Sequence, residues 1–249
     1  RGFTAHVSSG VSVRGTYAGV VEKIPYLKDL GITAVELMPV TEFDEIMMSA
    51  SGNGFHDAKP EPTGYLNYWG YGPSYIYAVK SAYASHGTMS AECEFKTLVK
   101  ELHKAGIECI PEIYFTGKEL PGEIVSVLRY WVEEYHVDGF HLTGFPDLSL
   151  AAEDPFLKRT KLFAENWNEV MDRRPKKGYI TPGDGPVSVA EKNLAEYNMQ
   201  FMEDMRRFLK GDEGMLQAFE FRSRRNPAEY AVVNYMAKTN GFTLMDEVY

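Results

Sequence analysis

Residues 90 to 115 read Ser90-Ala91-Glu92-Cys93-Glu94-Phe95-Lys96-Thr97-Leu98-Val99-Lys100-Glu101-Leu102-His103-Lys104-Ala105-Gly106-Ile107-Glu108-Cys109-Ile110-Pro111-Glu112-Ile113-Tyr114-Phe115. Phe95, Leu98, Val99 and Leu102 recur at helical spacing, Ser90 can cap the start, Glu92 and Glu94 fall in the first turn, and Gly106 ends the pattern. The run 107 to 115 is then apolar and of strand length. An amphipathic helix that hands over to a buried strand is the unit of a parallel β-α fold, with helices packed outside a sheet.

The same alternation continues in both directions. A helix is expected to begin near Pro121, an acceptable first-turn residue, with Ile124, Val125, Leu128, Trp131, Val132 and Tyr135 on its buried face. Tyr17, Val20, Val21 and Ile24 form a short helix, and Pro25 opens a new turn holding Leu27 and Leu30. A helix near 202 to 210 should bury Met202, Met205 and Phe208 and close at Gly211. Strand-length runs lie at 32 to 40, 107 to 115, 139 to 145, 160 to 166, about 195 to 201, and 231 to 237. Pro111 removes a ladder donor from its strand, so local irregularity is expected there. Residues 45 to 67 and 173 to 193, rich in Gly, Pro, Ser and Asn, read as long loops. The expected fold is α/β, a TIM-type (β/α)8 barrel forming one domain over 1 to 249. Six of its eight strands are visible, and the first and last fall just before Arg1 and just after Tyr249.

Composition narrows the function. A chain of 249 residues, 44% hydrophobic, can bury one sizeable core. Its 26 Lys and Arg against 35 Asp and Glu give a net charge of -9, which argues against duplex nucleic acid as a partner and leaves neutral polymers open. Cys93 and Cys109 are expected as reduced core residues. No 18-residue apolar run and no leader pattern at 1 to 30 is present, so neither a membrane partner nor a signal peptide is expected, and the expected location is cytoplasmic. The chain lacks an initiator Met and reads as a piece of something longer, which leaves a targeting segment upstream open. His56, His86, His103 and His136 show no ligand spacing, and no phosphate-cradling or dinucleotide motif occurs, so neither metal nor cofactor is expected. Arg222-Ser223-Arg224-Arg225 reads as a solvated basic loop.

Several stretches carry a resemblance, in this order along the chain. They are Arg1-Gly2-Phe3-Thr4, Gly15-Thr16-Tyr17, Leu27-Lys28-Asp29-Leu30-Gly31, Thr33-Ala34-Val35-Glu36-Leu37-Met38-Pro39-Val40 and Asn67-Tyr68-Trp69-Gly70-Tyr71, then His136-Val137-Asp138-Gly139-Phe140, Lys161-Leu162-Phe163-Ala164-Glu165 and Arg206-Arg207-Phe208. Together they resemble the isoamylase and glycogen-debranching branch of the alpha-amylase family, glycoside hydrolase family 13.

That resemblance implies a retaining mechanism, in which one carboxylate attacks the sugar and a second, protonated carboxyl serves the leaving oxygen. It places Thr143 at the nucleophile's position, in Gly139-Phe140-His141-Leu142-Thr143, and His141 where the family has an arginine. A neutral hydroxyl with no adjacent base is a poor nucleophile. Gly117 stands where a sugar-binding histidine is expected, and Thr116 at an asparagine that often serves a calcium site. Thr239 and Asn240 replace the His-Asp pair that grips the sugar. Glu165 matches the general acid, and Tyr71, with Trp69 beside it, matches the aromatic that stacks on the sugar ring. Asp147 and Glu119 are the acids nearest enough in sequence to substitute. The segment from Thr143 to Glu165 is shorter than the family's norm.

The resemblance thus implies a degenerate barrel domain without hydrolase activity. Its expected partner is an α-glucan of the glycogen or starch type, with association with an active homologue or flanking domains as a further expectation. Two other readings stay open: an active α-1,6-glucan hydrolase with relocated acids, and a purely architectural domain.

Overall fold

The computed structural model describes residues 2–48, 62–165, 167, 169–170, 193–227 and 229–238. They fall into two compact units, Arg1–Thr160 and Lys161–Tyr249.

The first unit opens with helices α1 (Gly2–Ala5), α2 (Tyr17–Glu22) and α3 (Ile24–Asp29), with Pro25 in the first turn of α3. Strand β1 (Ala34–Leu37) follows, then β2 (Thr41–Phe43), β3 (Ile46–Met48), β4 (Pro62–Leu66) and β5 (Ser74–Val79). Beyond them lie α4 (Ala91–Lys104), β6 (Glu108–Phe115), α5 (Pro121–Tyr135), β7 (Gly139–Gly144) and α6 (Ser149–Glu153). β1, β6 and β7 are adjacent and parallel, with Glu36 opposite Ile110 and Glu112 opposite His141.

Helix α4 matches the expected range of 91 to 104 and its cap: the Ser90 hydroxyl accepts from the Cys93 N–H, and Phe95, Leu98, Val99 and Leu102 are buried. α5 buries Ile124, Val127, Leu128, Trp131 and Tyr135. Val125 and Val132 lie only half-buried beside that stripe, because a period of 3.6 carries the core line through Val127 instead. The two helices meet in an aromatic cluster. The Phe95 ring lies edge-on to Tyr17, Trp131 and Tyr135 at 5.4, 5.7 and 5.3 Å, and Trp131 Nε1 donates to the Ile76 carbonyl. Burying these large rings is the main stabilising contribution of this layer.

Three expectations change here. β6 runs unbroken through Pro111, which sits at the last β1 register position and one residue before the β7 register opens, so its missing donor falls where pairing passes between neighbours. Part of the segment read as loop, 45 to 67, pairs as the antiparallel strands β3 and β4, while 49 to 61 lie outside the described residues. Cys109 is buried, and burial pushes its thiol pKa far up, but Cys93 is exposed on the solvent side of α4.

In the second unit, β8 (Lys161–Ala164), β9 (Leu194–Tyr197) and β10 (Ala231–Val233) are parallel, β9 lying between the other two. All six strand-length runs read from the sequence therefore hold parallel strands. α7 (Met199–Lys210) begins three residues before the expected range, because the Asn198 side chain caps it by accepting from the Phe201 N–H. Met202, Met205 and Phe208 are half-buried rather than buried; Phe208 stacks on Phe219 of α8 (Met215–Ser223) at 4.8 Å. The basic cluster is not a solvated loop. Arg222 pairs with Asp204, Arg224 with Glu220 and Arg225 with Glu196. The expected loop at 173 to 193 lies almost wholly outside the described residues. Among the described residues no helix is long and apolar enough to cross a membrane.

Candidate functional site

Side chains alternate across a strand, and in-register neighbours of a parallel sheet share a face. The pairings Glu36 with Ile110, Glu112 with His141 and Tyr114 with Thr143 therefore set Glu36, Glu112, His141 and Thr143 on one face of the first unit's sheet. Cys109, Ile113, Phe115, Phe140 and Leu142 occupy the other face and are buried.

The polar face is closely knit. His141 Nδ1 lies 2.6 Å from Glu36 Oε1, and the Thr143 hydroxyl donates to Glu112 Oε1 at 2.9 Å. Glu112 is 3% and His141 4% exposed. Burial pushes the Glu112 pKa up, and Glu36 nearby adds to the rise; His141 and hydrogen bonds from Thr143 and Tyr71 oppose it without cancelling it. One donor atom from each of Glu36, Glu112 and His141 falls within 4.8 Å of the others. The β7 exit is close-packed as well. Gly144 has φ +83°, and a Cβ there would lie 2.0 Å from the Phe115 carbonyl oxygen.

Above this face the loop Asn67–Tyr71 carries three aromatics, Tyr68, Trp69 and Tyr71. Trp69 is 43% and Tyr71 38% exposed; the Tyr71 ring lies 5.4 Å from that of Tyr114, and Trp69 stands edge-on to Tyr68. Asn67 fixes the loop by donating to the Tyr71 carbonyl and accepting from the Gly70 N–H. Gly70, at φ +79°, leaves no room for a Cβ against Phe43 and Pro39.

The sequence-predicted residues are distributed as follows. Thr143, His141 and Tyr71 come together in the first unit. The view that Thr143 has no neighbouring base is corrected, since a Glu112 carboxyl oxygen accepts a hydrogen bond from its hydroxyl. Gly117, at φ +84°, donates its N–H to Glu119. Glu119 is no free acid: burial works against its charge, but its own N–H, the Thr116 hydroxyl and N–H and the Gly117 N–H outweigh that and hold it below the usual carboxylate range. Asp147 accepts from the Ser149 N–H at the start of α6. In the second unit Glu165 follows β8, is exposed, and receives a hydrogen bond from Lys238. Thr239 and Asn240 lie outside the described residues.

Glu36 and Glu112 were given no role by sequence reasoning. The available signal was a lone acid within each of two otherwise apolar stretches, Ala34-Val35-Glu36-Leu37 and Ile110-Pro111-Glu112-Ile113; of the two, Glu112 is buried, where an unpartnered charge is costly.

The alpha-amylase catalytic-domain model matches residues 3–115. Isoamylase 3, chloroplastic, of Oryza sativa subsp. japonica is 32% identical over 326 aligned residues that take in 100% of this chain and 39% of that protein. The chain is similar to the alpha-amylase family. It is also 30% identical to the glycogen debranching enzyme of Serratia proteamaculans, over 95% of its own length and 43% of that protein's. Its fold matches pullulanase from Anoxybacillus sp. LM18-11, solved with maltotetraose, at a TM-score of 0.70 and 20% identity, over 99% of this chain and 44% of that one. The chain spans about two fifths of the length of the curated relatives it matches. The alignment with isoamylase 3 is longer than the chain itself, so that relative carries residues within the matched span that this chain lacks.

Proposed function

We propose that this alpha-amylase-family domain binds an α-glucan and does not hydrolyse it. The observation that carries the reading is Thr143. It stands on the polar face of β7, where the family resemblance puts the attacking carboxylate, and its hydroxyl is committed to Glu112. Retaining hydrolysis needs two carboxyls separated by about 5–5.5 Å with the scissile bond between them. A threonine hydroxyl held by a buried glutamate cannot supply the negative charge that stabilises the cationic sugar. Binding is supported by Trp69 and Tyr71, whose exposed rings offer faces to the apolar side of a glucose unit.

The pairing of Glu36 and Glu112 around His141 favours one second reading, hydrolysis by relocated acids. Against it stands the imidazole, whose Nδ1 lies 2.6 Å from Glu36 Oε1 and so engages one of the two carboxylates.

Two assays decide. Incubation with amylopectin is expected to release no reducing ends; release that falls on Glu112→Gln or Glu165→Gln would establish the hydrolase. Migration in a native gel containing amylopectin is expected to be retarded, with retardation lost on Tyr71→Ala. Unretarded migration of the unmodified protein would overturn glucan binding and leave an architectural domain.

A further inference from the structure

Glu36, Glu112 and His141 come from three neighbouring parallel strands, and we propose that together they bind a first-row divalent metal ion of the zinc and manganese class. The inference stands apart from glucan binding and from hydrolysis.

The geometry is set by the backbone. Register places the three side chains on one face, and a donor atom of each lies within 4.8 Å of the other two. An ion with bonds of roughly 2.0–2.2 Å holds neighbouring donors about 3–3.5 Å apart, so Glu36 Oε1 and His141 Nδ1, 2.6 Å apart, need only part slightly to admit one. Glu36 can make that movement, because its side chain is more than a third exposed while Glu112 and His141 are enclosed. The Glu112 carboxylate is oriented in advance by the Thr143 hydroxyl and the Tyr71 phenol, and such outer hydrogen bonds are what fix a ligand's direction in built metal sites.

Charge and donor type select the ion. Two carboxylates with one imidazole would neutralise a divalent cation, which offsets the cost of holding the buried Glu112 carboxylate beside that of the more exposed Glu36. A mixed nitrogen and oxygen set favours zinc, manganese, iron(II) or cobalt over magnesium and calcium, which prefer oxygen alone. Three protein donors leave coordination positions for water. Loading replaces protons on the ligands, so uptake releases protons to the buffer.

The test uses chelator-treated protein titrated with Zn2+, Mn2+, Mg2+ and Ca2+ by calorimetry in two buffers of different ionisation heat. Expected is saturable uptake of one Zn2+ or Mn2+ per chain, Zn2+ the tighter, with a buffer-dependent heat that reports proton release. Mg2+ and Ca2+ are expected to bind at least about tenfold more weakly. Glu36→Gln and His141→Gln should each weaken Zn2+ by about tenfold or more, whereas Glu134→Gln, at a surface ion pair with Lys96, should not. Melting curves without metal establish that each variant is folded. Co2+ loading adds a visible d–d spectrum that should change on His141→Gln. Absence of stoichiometric Zn2+ uptake, or uptake and a Co2+ spectrum that survive both substitutions unchanged, would overturn the proposal.

Discussion

Lys80 shows how a single residue's role depends on partners far away in the chain. It is 3% exposed, yet it is a cation. Its Nζ donates to Glu42 at 2.7 Å and to the Phe43 carbonyl at 2.7 Å, and lies 4.5 Å from the centre of the Phe43 ring. This clamps the end of β5 onto β2. Removing the cation while leaving its acid in place strands a partly buried carboxylate, a change that costs about 3–5 kcal/mol in enclosed pairs. Glu42 keeps the Ser81 N–H and part of its hydration, so Lys80→Met is expected near the lower end, about 3 kcal/mol, measured as a fall in the urea midpoint at unchanged slope. Glu36 and His141 teach the same lesson for the site. They are 105 positions apart, and no spacing rule joins them. Their strands could be read from the sequence; their meeting could not.

At the scale of elements, local rules went far. Helix α4 was legible to the residue because its cap, first-turn acids and apolar period all agree, and consistency of that kind is what makes a segment readable. The short strands β3 and β4 were not, since each is stabilised by pairing with the other across sequence of loop-like composition. The turn after α6 is held by an interaction of the same non-local type. Asp154 accepts from the Phe156 and Leu157 N–H groups and pairs with Arg129 of α5. Burial alone would raise its pKa, but the hydrogen bonds from Arg129 and those two amides outweigh burial and hold it below the usual range. A folded-state pKa below the unfolded value of about 3.9 gives stability that is complete above that value and lost as the pH falls through the folded one. Asp154→Asn is therefore expected to be less stable than the parent near neutrality, with the difference closing progressively below about pH 4. Thermal melts of both proteins over that range check it; a difference that persists unchanged into acid would show that the carboxylate charge is not the cause.

For the molecule as a whole, the excess of acids bears directly on how a glucan would be held. With 26 basic against 35 acidic residues, the chain has no charge advantage for polyanions, and a neutral sugar polymer releases no counterions on binding. Retardation by amylopectin is expected to stay the same between about 50 and 200 mM salt, the interval over which a protein making several phosphate contacts weakens by orders of magnitude. A steep loss of retardation with salt would point to charge, not to Trp69 and Tyr71. The amino-acid sequence by itself determined the α/β alternation, the positions of six parallel strands, the resemblance to the alpha-amylase family and the threonine at position 143, because periodicity, capping and residue identity are local properties. Only the tertiary structure decided that Glu112 takes the Thr143 hydroxyl, that Glu36 meets His141, and that Glu119 is tied to its own loop. The first two contacts follow from strand register between distant segments, which no local pattern encodes, and the third from the turn that brings the Thr116 and Gly117 N–H groups onto the Glu119 carboxylate.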